Sequence, residues 1–126
     1  MESKKMEKVL IVDDEVEVAE FLSSFLKRKG LKPFTANDAR KALEIFTQKK
    51  PDLILLDVKM PGEDGFFVLK KVKEASKDVK VIMITARDDK PSIIKAKRMG
   101  AEDYLIKPIE LENLDTVISK YIKPKK

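Results

Sequence analysis

Asp13, Asp14, Asp57, Thr85 and Lys107 are the residues whose types and spacing point to chemistry, because each closely follows a short apolar run. The runs are Val9-Leu10-Ile11-Val12, Leu53-Ile54-Leu55-Leu56, Val81-Ile82-Met83-Ile84 and Tyr104-Leu105-Ile106. Apolar stretches without polar alternation suit strands covered on both faces, as in a parallel sheet. Parallel strands would gather these side chains at the carboxyl edge, where open α/β sheets bind their ligands. Three carboxylates meeting there repel one another, and the ammonium of Lys107 does not balance them. A divalent cation with oxygen ligands does, and magnesium suits a set that combines carboxylates with phosphate oxygens. With its charge balanced, Asp57 becomes a nucleophile toward phosphorus, giving an aspartyl phosphate. The metal and Lys107 would neutralise the equatorial oxygens, and the Thr85 hydroxyl would donate a further hydrogen bond. Taken singly, the pair Asp13-Asp14 reads as a helix cap beside a solvated acid, Thr85 as turn chemistry and Lys107-Pro108 as a loop. Four such groups after four strands of one short chain favour the chemical reading.

The elements that must position these groups are legible from periodicity. A weaker strand runs from Leu31 to Thr35, and Pro33 within it places it at an edge of the sheet because proline donates no ladder hydrogen bond. Helical stripes lie between the strands. Val18, Phe21, Leu22, Phe25 and Leu26 form the first, ending near Gly30. Ala39, Ala42, Leu43 and Phe46 form the second, with Asn37 as its expected N-cap. Asp64 would cap a third, through Val68, Leu69 and Val72. Ile93, Ala96 and Met99 mark the fourth, and Leu111, Leu114, Ile118 and Tyr121 the fifth. Strict strand–helix alternation predicts an α/β fold with a parallel sheet and helices on both faces.

Composition narrows the function further. At 126 residues the chain has the length of one domain, read as 1–126 with a core at 8–122 and a basic tail or truncated linker at 123–126. Cysteine and histidine are both absent, which excludes disulfides, thiolate metal sites, a cysteine nucleophile and a phosphohistidine of its own. The balance of 27 basic over 22 acidic residues leaves a net charge of +5. Its lysines crowd both ends of the chain and are read as solubilising surface, with no direct nucleic-acid binding expected. No apolar run has membrane-spanning length and the first is too short for a signal peptide, so a cytoplasmic location without membrane contact is expected.

On these residues the sequence resembles the receiver domain of bacterial two-component response regulators, chiefly the chemotaxis-type single-domain regulators. The matched stretches are Val9 to Glu15, Asp52 to Asp57, Met60-Pro61-Gly62-Glu63-Asp64-Gly65, Ile84-Thr85-Ala86 and Gly100 to Pro108. The resemblance implies a flavodoxin-like, doubly wound sheet of five parallel strands in order 2-1-3-4-5 with five helices. It implies Asp57 as phosphoacceptor and metal ligand, Asp14 as a direct magnesium ligand, Asp13 as a ligand mainly through water and Lys59 as a ligand through its backbone carbonyl. It further implies a cis Lys107–Pro108 bond and Tyr104 as a switch aromatic that moves with Thr85. Phosphorylation would then shift the population of a face built from the fourth helix, fifth strand and fifth helix.

The implied partners are a sensor histidine kinase or phosphotransfer protein as donor, and a downstream protein that docks on that face. The domain would be a monomer or a phosphorylation-dependent dimer, and no enzyme beyond its own phosphorylation and dephosphorylation. Lys59 and Arg87, two residues after Asp57 and Thr85, are expected to tune the lifetime of the phosphorylated state. Lys90, Lys95, Lys97 and Arg98 make the fourth helix basic, which fits either an acidic partner or a solvated surface. A receiver excised from a longer regulator is one alternative. A hydrolase acting through an aspartyl phosphate is another, although such phosphatases usually carry an acid where this chain has Lys59. A flavin site is disfavoured, because aspartates at the crevice would repel a flavin phosphate.

Overall fold

The computed structural model describes residues 7–86 and 89–122. Its elements alternate: β1 (Lys8–Val12), α1 (Val16–Arg28), β2 (Lys32–Ala36), α2 (Ala39–Lys49), β3 (Leu53–Asp57), α3 (Gly65–Ala75), β4 (Lys80–Ala86), α4 (Lys90–Arg98), β5 (Asp103–Lys107) and α5 (Leu111–Tyr121). The strands form one five-stranded sheet in order β2-β1-β3-β4-β5, and every pairing is parallel. This is the flavodoxin-like order expected from the sequence. The strand with Pro33 is indeed an edge, where its missing N–H costs no ladder bond.

The period-2 alternation of side chains along the strands divides the core in two. Val9, Ile11, Leu53, Leu55, Ile82 and Ile84 point to one face, where Leu22, Phe25 and Leu26 of α1 and Leu114, Val117 and Ile118 of α5 cover them. Leu10, Val12, Ile54, Leu56, Val81 and Met83 point to the other, against α2, α3 and α4. The central runs are therefore continuous because each face has its own cover. In β5, the other edge strand, only Leu105 is fully buried, and Tyr104 and Ile106 remain half-buried.

Three expectations need correction. The N-cap of α2 is Asp38, whose carboxylate accepts from Lys41 N at 2.8 Å, and not Asn37. Both residues are good caps, and only the one whose side chain faces the first free N–H groups serves. Leu111 opens α5 but is exposed, because the buried stripe of that helix runs through Leu114, Val117 and Ile118. Phe21 is likewise exposed, at the margin of the α1 stripe. Asp64 caps α3 as expected, accepting from Phe66 N and Phe67 N.

Candidate functional site

The register brings the carboxyl ends of β1, β3, β4 and β5 side by side, so Asp13, Asp57, Thr85 and Lys107 converge as the sequence predicts. Asp57 ends β3 and is 5% exposed, and Asp13, one residue past β1, is 1% exposed. Asp14 beside it is exposed. Asp13, Asp14 and Asp57 each offer a carboxylate oxygen within 4.8 Å of the others, a grouping able to hold a metal ion.

Lys107 enters this cluster from the end of β5. Its Nζ lies 3.4 Å from Asp57 Oδ2, 3.3 Å from Asp13 Oδ2 and 2.8 Å from Glu15 Oε1. The Lys107–Pro108 peptide bond that follows is cis. Burial alone would lower the lysine's pKa, but the hydrogen bond to Glu15 and the charges of Asp57 and Asp13 outweigh it and hold the ammonium above the ordinary lysine range. The opposite holds for the acids. Burial, then the neighbouring charge of Asp13, pushes Asp57 up to about 6, against the pull of Lys107 and the backbone N–H of Lys59. Asp13 is also raised, chiefly by burial. One ammonium therefore does not neutralise the set.

Among the described residues, two buried oxygens at the site have no hydrogen bond of good geometry: Asp13 Oδ2, which faces Lys107 Nζ at 3.3 Å, and Thr85 Oγ1, on a residue 2% exposed whose hydroxyl neighbours the Asp89 carboxylate. Buried polar atoms are nearly always satisfied, so such a pair marks a place shaped for something the chain does not itself supply. Asp13 Oδ2, the clustered carboxylates and the raised pKa values of Asp13 and Asp57 fit a divalent cation, and the Thr85 hydroxyl suits an anionic group bound beside it.

The loops are built for close approach. Gly62, in the turn after β3, has a positive φ of 77°, which favours glycine. Gly65 opens α3 directly against Asp57, where a Cβ would collide with the Asp57 carbonyl oxygen, and its N–H donates to Val58 O at 2.9 Å. Periodicity gave no sign of this contact. Tyr104 is half-buried, with the ammonium of Lys97 5.5 Å from its ring centroid. Lys59 is exposed, and its charge helps Ser92 hold the Asp89 carboxyl at the start of α4 below the usual range. Arg87 lies outside the described residues. Glu15, third in the Asp13-Asp14-Glu15 run, carried no expected role, yet it makes the shortest contact to Lys107.

A family model described as "Response regulator receiver domain" matches residues 9–119. The chain belongs to the response regulator receiver family of two-component signalling. As a receiver domain it is 35% identical over 116 residues to "Sporulation initiation phosphotransferase F" of Bacillus subtilis, covering 92% of this chain and 94% of that protein. It is also 35% identical to "Regulatory protein AtoC" of Escherichia coli, but spans only 25% of it. A "putative response regulator" structure from Chloroflexus aurantiacus superposes on the receiver with a TM-score of 0.87 at 34% identity, covering 93% of this chain and 98% of that one. Among the described residues, no helix is long and apolar enough to cross a membrane.

Proposed function

We propose that this receiver domain is a cytoplasmic, phosphorylation-dependent switch that takes a phosphoryl group on Asp57 from a sensor histidine kinase or phosphotransfer protein, with Mg2+ bound. The observation that carries this reading is the unbalanced set at the strand ends: buried Asp57 and Asp13 sharing one ammonium, with Asp13 Oδ2 and Thr85 Oγ1 lacking a well-formed hydrogen bond among the described residues.

Asp13, Asp14, Asp57 and the carbonyl of Lys59 would hold Mg2+, which when bound neutralises carboxylate and phosphoryl oxygens. An Asp57 carboxylate oxygen forms the new P–O bond as the donor's P–N bond breaks, and that electron pair stays on the imidazole nitrogen of the donor. Lys107 pairs with one phosphoryl oxygen, and the Thr85 hydroxyl donates to another. Movement of Thr85 would draw Tyr104 with it and shift the population of the α4–β5–α5 face, on which a downstream protein docks. A groove lined by Val18, Phe21, Pro108 and Ile109 together with the charged Glu15, Glu17 and Lys107 suits an amphipathic helix face of the phosphoryl donor.

Lys59 and Arg87 would tune how long the phosphoryl group lasts. If Lys59→Asn and Arg87→Ala leave the autodephosphorylation rate unchanged, that part is wrong. A receiver within a longer regulator is the second reading, favoured by the small fraction of AtoC that the chain spans. Reading frame beyond Lys126 in the native gene would support it. The central test is labelling of the protein by acetyl phosphate with and without magnesium. Wild type should label only with the metal and Asp57→Asn should not label; a mutant labelled like wild type would overturn the assignment.

A further inference from the structure

Lys107 makes its best contact outside the aspartate cluster. Charge-assisted N–H···O bonds run about 2.7–2.9 Å. Of its three carboxylate neighbours only Glu15, at 2.8 Å, lies in that range, and Asp13 and Asp57 stand at 3.3 and 3.4 Å. Glu15 occupies the N-cap position of α1 but its side chain caps nothing, whereas Asp38, Asp64 and Asp89 all cap their helices. The carboxylate is turned to the lysine instead. Its backbone is fixed against the same cluster, since Glu15 N donates to Asp13 Oδ1 at 2.9 Å. An ammonium has three donors. Here two are given to Glu15 and Asp57 while Asp13 Oδ2 stands 3.3 Å away without a hydrogen bond, so the short bond to Glu15 is the one that holds the ammonium back from a phosphoryl oxygen on Asp57.

We propose that Glu15 is a positioning residue that parks the Lys107 ammonium, so that a phosphoryl group on Asp57 competes with Glu15 for it. The proposal rests on the reading of Asp57 as phosphoacceptor and adds a residue that sets how strongly the site holds the phosphoryl group. Glu15 is 59% exposed on its side chain, so solvent limits the effect. Removing its charge should strengthen phosphoryl binding by about two- to fivefold, the range of a half-exposed ion pair.

The test titrates beryllofluoride, a phosphoryl mimic, into the magnesium-saturated full chain and compares wild type with Glu15→Gln and Glu15→Asp. Tighter binding by Glu15→Gln is expected, with Glu15→Asp, which keeps the charge on a shorter arm, lying between. Acetyl phosphate labelling of Asp57 should quicken in Glu15→Gln but show no such gain when Lys107→Ala is also present. Unchanged or weaker binding by Glu15→Gln overturns the proposal, as does an equal gain without Lys107. In metal-free, phosphoryl-free protein, the Lys107 13Cε–15Nζ resonance should move in Glu15→Gln. If it does not, this inference alone fails; if wild type takes up no beryllofluoride, the receiver reading fails with it.

Discussion

At the amino end of the sheet, Asp52 Oδ2 accepts from Lys8 N at 2.9 Å, and Lys8 Nζ donates to Lys49 O. Glu102 accepts from Val81 N at 2.7 Å and from Lys73 Nζ, which also donates to Val79 O at 2.8 Å. These charges clasp the starts of strands to one another and to α3, and each has its partner. At the carboxyl end, among the described residues, the clustered acids outnumber the one ammonium that enters them, Asp13 Oδ2 and Thr85 Oγ1 have no hydrogen bond of good geometry, and Asp57 is pushed up to about 6. The same sheet thus holds a satisfied network at one edge and an unsatisfied one at the other. Satisfied polar networks stabilise a fold, whereas groups held under strain of charge are where binding and catalysis are found.

The largest expected effect lies at the unsatisfied edge. Lys107→Ala should slow acetyl phosphate labelling by about 10²-fold or more, the loss typical of one preorganised charge donor. A fall of less than tenfold would break the contrast between the ends. Gly65→Ala, despite alanine's better helix propensity, should destabilise by roughly 3 kcal/mol in denaturant melts, since the added methyl has to displace the Asp57 backbone.

Asp57→Asn should do the reverse in metal-free protein and stabilise it by roughly 2–3 kcal/mol near pH 8. The folded-state value of Asp57 lies above the 3.8 of an ordinary aspartate, so ionisation costs stability. That cost is absent below about pH 4, grows as pH rises to about 6 and is complete above it. Melts of wild type and mutant should therefore converge in acid, and a constant difference from pH 4 to 8 would contradict the assignment.

At the satisfied end, Glu102→Ala should cost about 2 kcal/mol by stranding Lys73 and Val81 N, yet leave Asp57 labelling within about twofold. The smallest effect belongs to Lys97→Met. Removing the cation over the Tyr104 ring should change stability by no more than about 0.5–1 kcal/mol, measured in the same melts.

The fold was readable because each central strand has an unbroken apolar run and each helix an amphipathic stripe. Asp13, Asp57, Thr85 and Lys107 were readable because strand ends are fixed by where those runs stop. Finer placement was not. Asn37 and Asp38 are equivalent caps by residue type, and only backbone direction chooses between them. Leu111 matches the helical period of α5 but lies beyond the sheet that buries Leu114 and Ile118. Lys73 and Glu102 stand 29 residues apart, with nothing local to pair them. Glu15 looked like one more acid in a run, and its role depends on Lys107, 92 residues away.

Helix α4 has nine residues, and Ala96 is its one buried side chain. Ile94 faces solvent, while α1 buries four residues in the core and α3 three. So little covered apolar surface gives α4 a low opening free energy. Its amides should exchange with deuterium through local unfolding, well before those of α1 and α3, which would make α4 cheap to displace by a small change at the strand ends.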